Sequence, residues 1–285
     1  LTELCRRIGV FVRGIFLQTG YDIPVSPIIR DNVINDTNSI NGAIIINGQK
    51  LTGDRTITGN TGSGNRNNWI FITTDFVDET VLSADNEFDW FILESAEVAS
   101  GSSLTLDPGT LVKIVSAINV WGILNAQGTA EAPIIFTSEN DGEGRLPVAG
   151  DWDSIEVMSG GSAVLDHVEM RYGGGFYSGI GMVYAKFGSR LSLTNSVLEH
   201  SNNNGVRVES ANHYISGNSF WDISSYAVYN GKTASITVRA ENNWWGDASG
   251  PDPYGSGEKI NNGVDADPWI GKDIINSGNI LDEEL

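Results

Sequence analysis

The chain has 285 residues and carries 36 Asp and Glu against 17 Lys and Arg, a formal net charge of −19. That sign of charge repels nucleic-acid phosphate and anionic membrane surfaces, and no run of 18 apolar residues is long enough to cross a bilayer. Hydrophobic residues make up 40%, too many for a disordered chain. The 34 glycines and 26 asparagines, together about a fifth of the sequence, disfavour a helical fold, because Gly is costly in helices and Asn prefers turns.

Residues 1–40 stand apart from the rest. Arg6, Arg7 and Arg13 lie in or beside a β-prone apolar stretch, Ile8–Leu17, that includes Val10, Val12, Ile15 and Leu17. The opening resembles an export leader, but Arg13 interrupts the apolar run and no small-residue cleavage site follows, so no leader is read here. The single cysteine, Cys5, has no internal disulfide partner. Residues 69–99 contain no Gly or Pro and are rich in Ile, Phe, Val and Thr, which predicts the first regular strands there. Next come Ser103–Leu106, the turn Asp107-Pro108-Gly109, Leu111–Ile114, Ile118–Val120, Ile123–Gln127 and Ile134–Thr137, all short and apolar.

Farther along, the sequence repeats itself. Four segments share an aliphatic residue, a turn residue and an apolar pair: Val164–Met170, Leu193–Leu198, Ile215–Trp221 and Val238–Trp245. Taking Asp166, Asn195, Asn218 and Asn243 as equivalent gives spacings of 29, 23 and 25. A second series alternates with the first: Ile155-Glu156-Val157, Gly181-Met182-Val183, Val206-Arg207-Val208 and Ala227-Val228-Tyr229. Two or three short strands per repeat of this length, with no helix between them, predict an all-β, single-stranded parallel β-helix, a solenoid in which each coil adds one strand to each of several parallel sheets. Residues 90–245 have room for six or seven coils. The expected organisation is an N-terminal arm or cap over 1–40, the solenoid over 41–272 with its terminal cap at 243–272, and an acidic tail over 273–285.

The succession Leu-Thr-Leu-Asp-Pro-Gly-Thr, Gly-Ile-Leu-Asn-Ala-Gln-Gly-Thr, Ala-Pro-Ile-Ile-Phe-Thr-Ser, Gly-Asp-Trp and Leu-Asp-His-Val-Glu-Met-Arg-Tyr-Gly-Gly resembles the right-handed parallel β-helix repeat proteins of bacterial and archaeal surfaces. The segment Asn243–Pro251, followed by Val264–Trp269, is similar to the terminal coil of the periplasmic NosD-like members. The resemblance spans about residues 45–272. It implies the fold and an extracellular or cell-surface location, and no particular activity. An uncovered β-helix end is an open sheet edge, and Trp244, Trp245 and Trp269 are the residues expected to cover it.

Catalytic constellations are thin. A polysaccharide lyase or hydrolase on this fold needs clustered carboxylates with a basic partner. Asp166, His200, Arg207 and Asp222 are the nearest candidates, and Asp166 is equally explained as a turn residue. Three His, three Met and one Cys show no pair at soft-metal spacing, so no cofactor is expected beyond calcium. The candidate calcium ligands are Glu139, Asp141 and Glu143 in one acidic loop, and Asp247 and Asp252 in another. The acidic tail residues Asp282, Glu283 and Glu284 lie at the opposite end of the chain from the basic arm, an arrangement suited to head-to-tail self-association. The resulting expectation is an exported, non-enzymatic structural or adhesive subunit, with a polysaccharide-binding or polysaccharide-degrading protein as the alternative.

Overall fold

In the computed structural model the described residues are 14–18, 28–47, 55–142, 144–175, 180–232 and 236–271. Among them there is no helix, and the strands stack in parallel as a β-solenoid of about nine turns. Three sheets run along it. Face 1 has nine strands, from Ile15–Gln18 to Ser219–Ile223, and face 3 has eight, from Ile29–Arg30 to His213–Ser216. Face 2 has seven: Asp75–Phe76, Ala96–Val98, Ala117–Val120, Ser154–Val157, Gly181–Ala185, Asn204–Val208 and Val228–Asn230. The chain passes from face 1 to face 2 to face 3 in each complete coil.

Alternation in the sequence decides which side chains enter the core, because successive residues of a strand point to opposite sides of the sheet. On face 2 the inward row is Ile118, Ile155, Val183, Val206 and Val228, each fully buried and each the direct neighbour of the next. On face 1 it is Ile70, Phe91, Val112, Phe136, Met170, Leu198 and Phe220. Each such side chain contributes about 1.5–3 kcal/mol on burial, and the rows join into one core running the length of the stack.

The stack begins earlier than the sequence suggests. Ile15–Gln18 already pairs in register with Ile44–Asn47, which pairs with Trp69–Thr73, so residues 69–99 continue coils that have already formed. Asparagines and serines scattered among the earlier residues hide the strands between them. Residues 90–223 supply six strands to face 1, within the expected six or seven coils.

The corner from face 3 to face 1 corrects the repeat alignment. Asp166 pairs with Thr194, so the residue equivalent to Asn195 is His167, and the residue equivalent to Ser196, Asn218 and Asn243 is Val168. The two sites have different backbones: His167, Asn195, Gly217 and Asn242 all have left-handed φ. The residue after each turns inward. Asn218 donates from its backbone and its side chain to Asn243 Oδ1, at 2.9 and 3.0 Å, and from Nδ2 to Leu193 O at 2.9 Å. An identical arrangement links Asn32, Asn60 and Asn86 at the other end. Asn60, Asn218 and Asn243 are fully buried. Their amides donate to corner carbonyls such as Ile29 O, Leu193 O and Ile215 O, keeping buried polar groups paired.

At the C-terminal end Trp245 stacks on Phe220 with ring centroids 5.2 Å apart, extending the inward row of face 1. Val238–Arg239 pairs with Val264–Asp265, and the backbone bonds from Asn242 N to Pro268 O and from Ile270 N to Asn243 O lay residues 264–270 along the preceding coil. Trp244 is buried, and Trp269 packs against the core from outside it. Gly250, at φ +91°, lets the Trp269 indole close in, since a Cβ there would stand 2.3 Å from the ring.

Candidate functional site

The outward row of face 2 changes character along the solenoid. Its successive residues are Asp75, Glu97, Asn119, Glu156, Tyr184, Arg207 and Tyr229. The first four are acidic or amide, and the last three are aromatic or cationic. Neighbouring strands hold equivalent side chains about 4.8 Å apart, close enough for planar groups to stack. The Arg207 guanidinium lies 4.8 Å from the Tyr184 ring centroid and 5.7 Å from that of Tyr229, and Tyr229 meets Tyr226 at 5.3 Å.

Polar contacts fix this ladder. Tyr184 Oη donates to Glu209 Oε1 at 2.5 Å, and Arg207 Nη2 donates to the same oxygen at 3.1 Å. Lys186 Nζ, 5.3 Å from the Tyr184 ring centroid, pairs with Glu156 Oε2 at 2.6 Å. Burial, then the bond to Glu209, pushes the Tyr184 phenol up to about 12, so it stays protonated as a donor. Burial also acts to raise Glu209, but donation from Tyr184 and Arg207 outweighs it and holds the carboxylate below its ordinary value. Both cations are therefore neutralised locally. The face offers ring surface and hydrogen-bonding groups with little net charge.

Around the corner toward face 1 lies a second row. Tyr172, His200 and Asp222 occupy the same position in three successive coils, and each has left-handed φ: 66°, 55° and 49°. The same left-handed turn recurs at His167, Asn195 and Asn242 between faces 3 and 1, so the conformation belongs to the corners of the coil. Tyr172 stacks on the His200 ring at 5.2 Å with planes 8° apart, and His200 Nδ1 lies 2.7 Å from Asp222 Oδ2. Asp222 leads into Ile223, whose N–H donates to Glu258 Oε1 at 3.2 Å. Burial, opposed by bonds from the Ile223 and Asp222 backbone N–H groups and aided by the Asp222 charge, raises Glu258 above the usual carboxyl value. Tyr226, four residues after Asp222, meets the Tyr229 end of the ladder.

Of the four catalytic candidates, the structure brings together His200 and Asp222. Arg207 belongs to the ladder. Asp166 sits at the corner between faces 3 and 1, where it accepts from Thr194 Oγ1 at 2.7 Å and Asn195 Nδ2 at 2.8 Å, with His167 Nδ1 at 3.3 Å. Asp141 accepts from Arg171 Nε at 3.0 Å and Thr137 Oγ1 at 2.7 Å, while Glu139 is exposed and Glu143 lies outside the described residues. Asp247 caps Ser249 through its N–H and hydroxyl, and Asp252 is half-buried in the cap. No group of three or more His, Cys, Asp and Glu converges on a metal position among the described residues. Ile15 and Leu17 form part of the first face 1 strand and pack against the core. Arg6, Arg7, Val10, Val12, Arg13, Asp282, Glu283 and Glu284 lie outside the described residues.

Sequence reading found the strands that carry the ladder but passed over Tyr184, Tyr226, Tyr229 and Glu209, because it searched for catalytic groups. The usable signal was the middle residue of each Val-x-Val-like strand, recurring at intervals of 23 and 22. Compared with protein-family models, with curated proteins and with solved structures, the chain gives no match in any of the three.

Proposed function

We propose that this chain is a non-enzymatic, adhesive β-solenoid of the cell surface that binds a neutral polysaccharide along the C-terminal half of face 2. The observation that carries this reading is the Tyr184–Arg207–Tyr229 stack, held in place by Glu209. Side chains already ordered by their neighbours cost little further entropy on binding. Aromatic rings offer apolar surface to the C–H faces of sugars, and Arg and Tyr offer donors to their hydroxyls. A neutral chain fits because Lys186 and Arg207 are already paired, while the net charge of −19 repels a polyanion. The cell-surface location in this reading rests on the resemblance of the coil motifs to surface β-helix proteins.

Head-to-tail growth is a second use of the same scaffold, and residues 264–270, which lie along the last coil, are the segment a second copy would meet at that end. The direct test is affinity electrophoresis through gels containing neutral glucans, mannans or galactans, or uronate polymers. The native chain should be retarded by a neutral polymer, and Arg207→Ala should weaken that retardation about tenfold or more. Retardation by uronate polymers alone, or none by any polymer, would defeat the reading.

A further inference from the structure

A concave site lies on the face 1 side of the last coil, and its Lys259 carbonyl accepts from Ala227 N, two residues before Tyr229 of the ladder. Trp221, Ile223, Trp245, Gly246, Glu258 and Lys259 line most of a cleft of about 290 Å³, near the small end of the range for ligand pockets. Trp221 is half-buried and continues the outward row of face 1 beyond Glu199, and its indole leans on Trp244 at 6.0 Å. Gly246 keeps the cleft open. Its φ is +81°, and a Cβ there would stand 3.7 Å from Glu258 Cγ and 3.9 Å from Trp221 Cε3, between the carboxylate and the indole. The Ile223 N–H fixes one Glu258 oxygen from below.

We propose that this cleft is a single-ring subsite for a neutral hexose, seated on Trp221 with its hydroxyls donating to Glu258, and that it lies at the end of the glycan path running from the Tyr184–Arg207–Tyr229 ladder. The inference rests on the glycan-binding reading of that ladder and adds where the bound chain ends. Two features select the ring. The indole offers an apolar surface to the C–H face of a sugar. Carboxylates at Asp222 and Glu258 repel a uronate. The partly buried Glu258, with its raised tendency to hold a proton, suits a hydroxyl partner better than a second anion.

The test uses the full chain with neutral hexose oligomers of two lengths, one long enough to span ladder and cleft and one covering the ladder alone. Uronate and glucosamine oligomers of the longer length serve for comparison. Binding is read by calorimetry, and occupancy by the indole N–H resonance of Trp221, assigned through Trp221→Phe. The long neutral oligomer should shift that resonance, and Glu258→Gln should weaken its binding about tenfold, equivalent to about 1.4 kcal/mol, with the short oligomer unaffected. Arg207→Ala should weaken both lengths. Gly246→Val should fill the cleft and act like Glu258→Gln; if its left-handed backbone prevents folding, Trp221→Ala takes its place. Wild-type affinity of Glu258→Gln and Trp221→Ala for the long oligomer, while Arg207→Ala weakens it, would overturn the subsite and leave the ladder reading intact. A preference for uronate or glucosamine oligomers at the Trp221 resonance would overturn the neutral-hexose assignment. Absence of binding by either length would overturn the ladder reading and the subsite with it.

Discussion

Two corners of the solenoid stack polar side chains coil upon coil, yet they do opposite things. Between faces 3 and 1 the stacked residues turn inward: Asn60, Asn218 and Asn243 are fully buried, and their amides bond to corner backbone and to one another. Between faces 1 and 2 they turn outward: Tyr172, His200 and Asp222 sit in left-handed turns, with the His200 and Asp222 side chains 41% and 73% exposed. The same topology generates both rows. Burial decides which one stabilises the fold and which one is available to a ligand, because an amide removed from water must find protein partners while an exposed imidazole need not.

The largest effect should come from breaking the inner row. Asn218→Ala removes the donor to Leu193 O and the acceptor for Ser196 N, and leaves Asn243 Oδ1 with one donor fewer. Each buried group left unpaired costs about 1–3 kcal/mol, so a loss of about 3–4 kcal/mol in urea unfolding is expected. Asn60→Ala should lose a similar amount at the far end of the stack, since it removes the donor to Ile29 O and the acceptor for Asn32 N. A loss below about 1 kcal/mol at both positions would mean that water replaces the amides and that the row is not a structural element.

His213 lies between the two cases, buried like the asparagines and titratable like His200. It faces the core beside Leu191, with Nε2 2.9 Å from Ser210 Oγ, and burial pushes its pKa down to about 4 from 6.5. The folded protein therefore binds this proton less readily than the unfolded chain. The stability associated with neutral His213 is complete above pH 6.5 and falls as the pH drops from 6.5 toward 4, by about 3 kcal/mol at most. His213→Leu should flatten that part of the pH profile and be more stable than the native chain near pH 4.5. A parallel slope in the variant would place the acid sensitivity elsewhere.

The fold was legible where alternation was strict. Ile155–Val157, Val206–Val208 and Val228 read as strands, and they share one face in register. The corners were not legible, because Asp, Asn, Ser, His and Gly all serve in turns and sequence gives no sign of which one turns inward. Asp166 and Asn195 therefore aligned with Asn218, although the buried positions are Val168 and Ser196. The strands before residue 41 read as an arm or cap for a related reason: Asn32, Asn35, Asn38 and Asn41 look like a loop until the register pairs Ile15 with Ile44 and Ile29 with Ile57. His200 and Asp222 could be named as residues, but not as a pair, since 22 positions separate them and only the coil length brings them to 2.7 Å.

The smallest effect is also the finest test of the two corners. His200 has φ 55°, a conformation that costs a non-glycine residue about 1 kcal/mol or more, and glycine nearly nothing. His200→Ala keeps that backbone cost and gives up the Tyr172 stack and the Asp222 contact, whereas His200→Gly gives up the same contacts and relieves the backbone. The glycine variant should therefore be the more stable of the two by about 1 kcal/mol. At Asn218, which is not among the left-handed positions, the order should reverse, with alanine above glycine. Thermal unfolding of the four variants reads both comparisons at once. If His200→Gly is no more stable than His200→Ala, the outer corner stores no backbone strain, and its His–Asp pair is held by contacts alone.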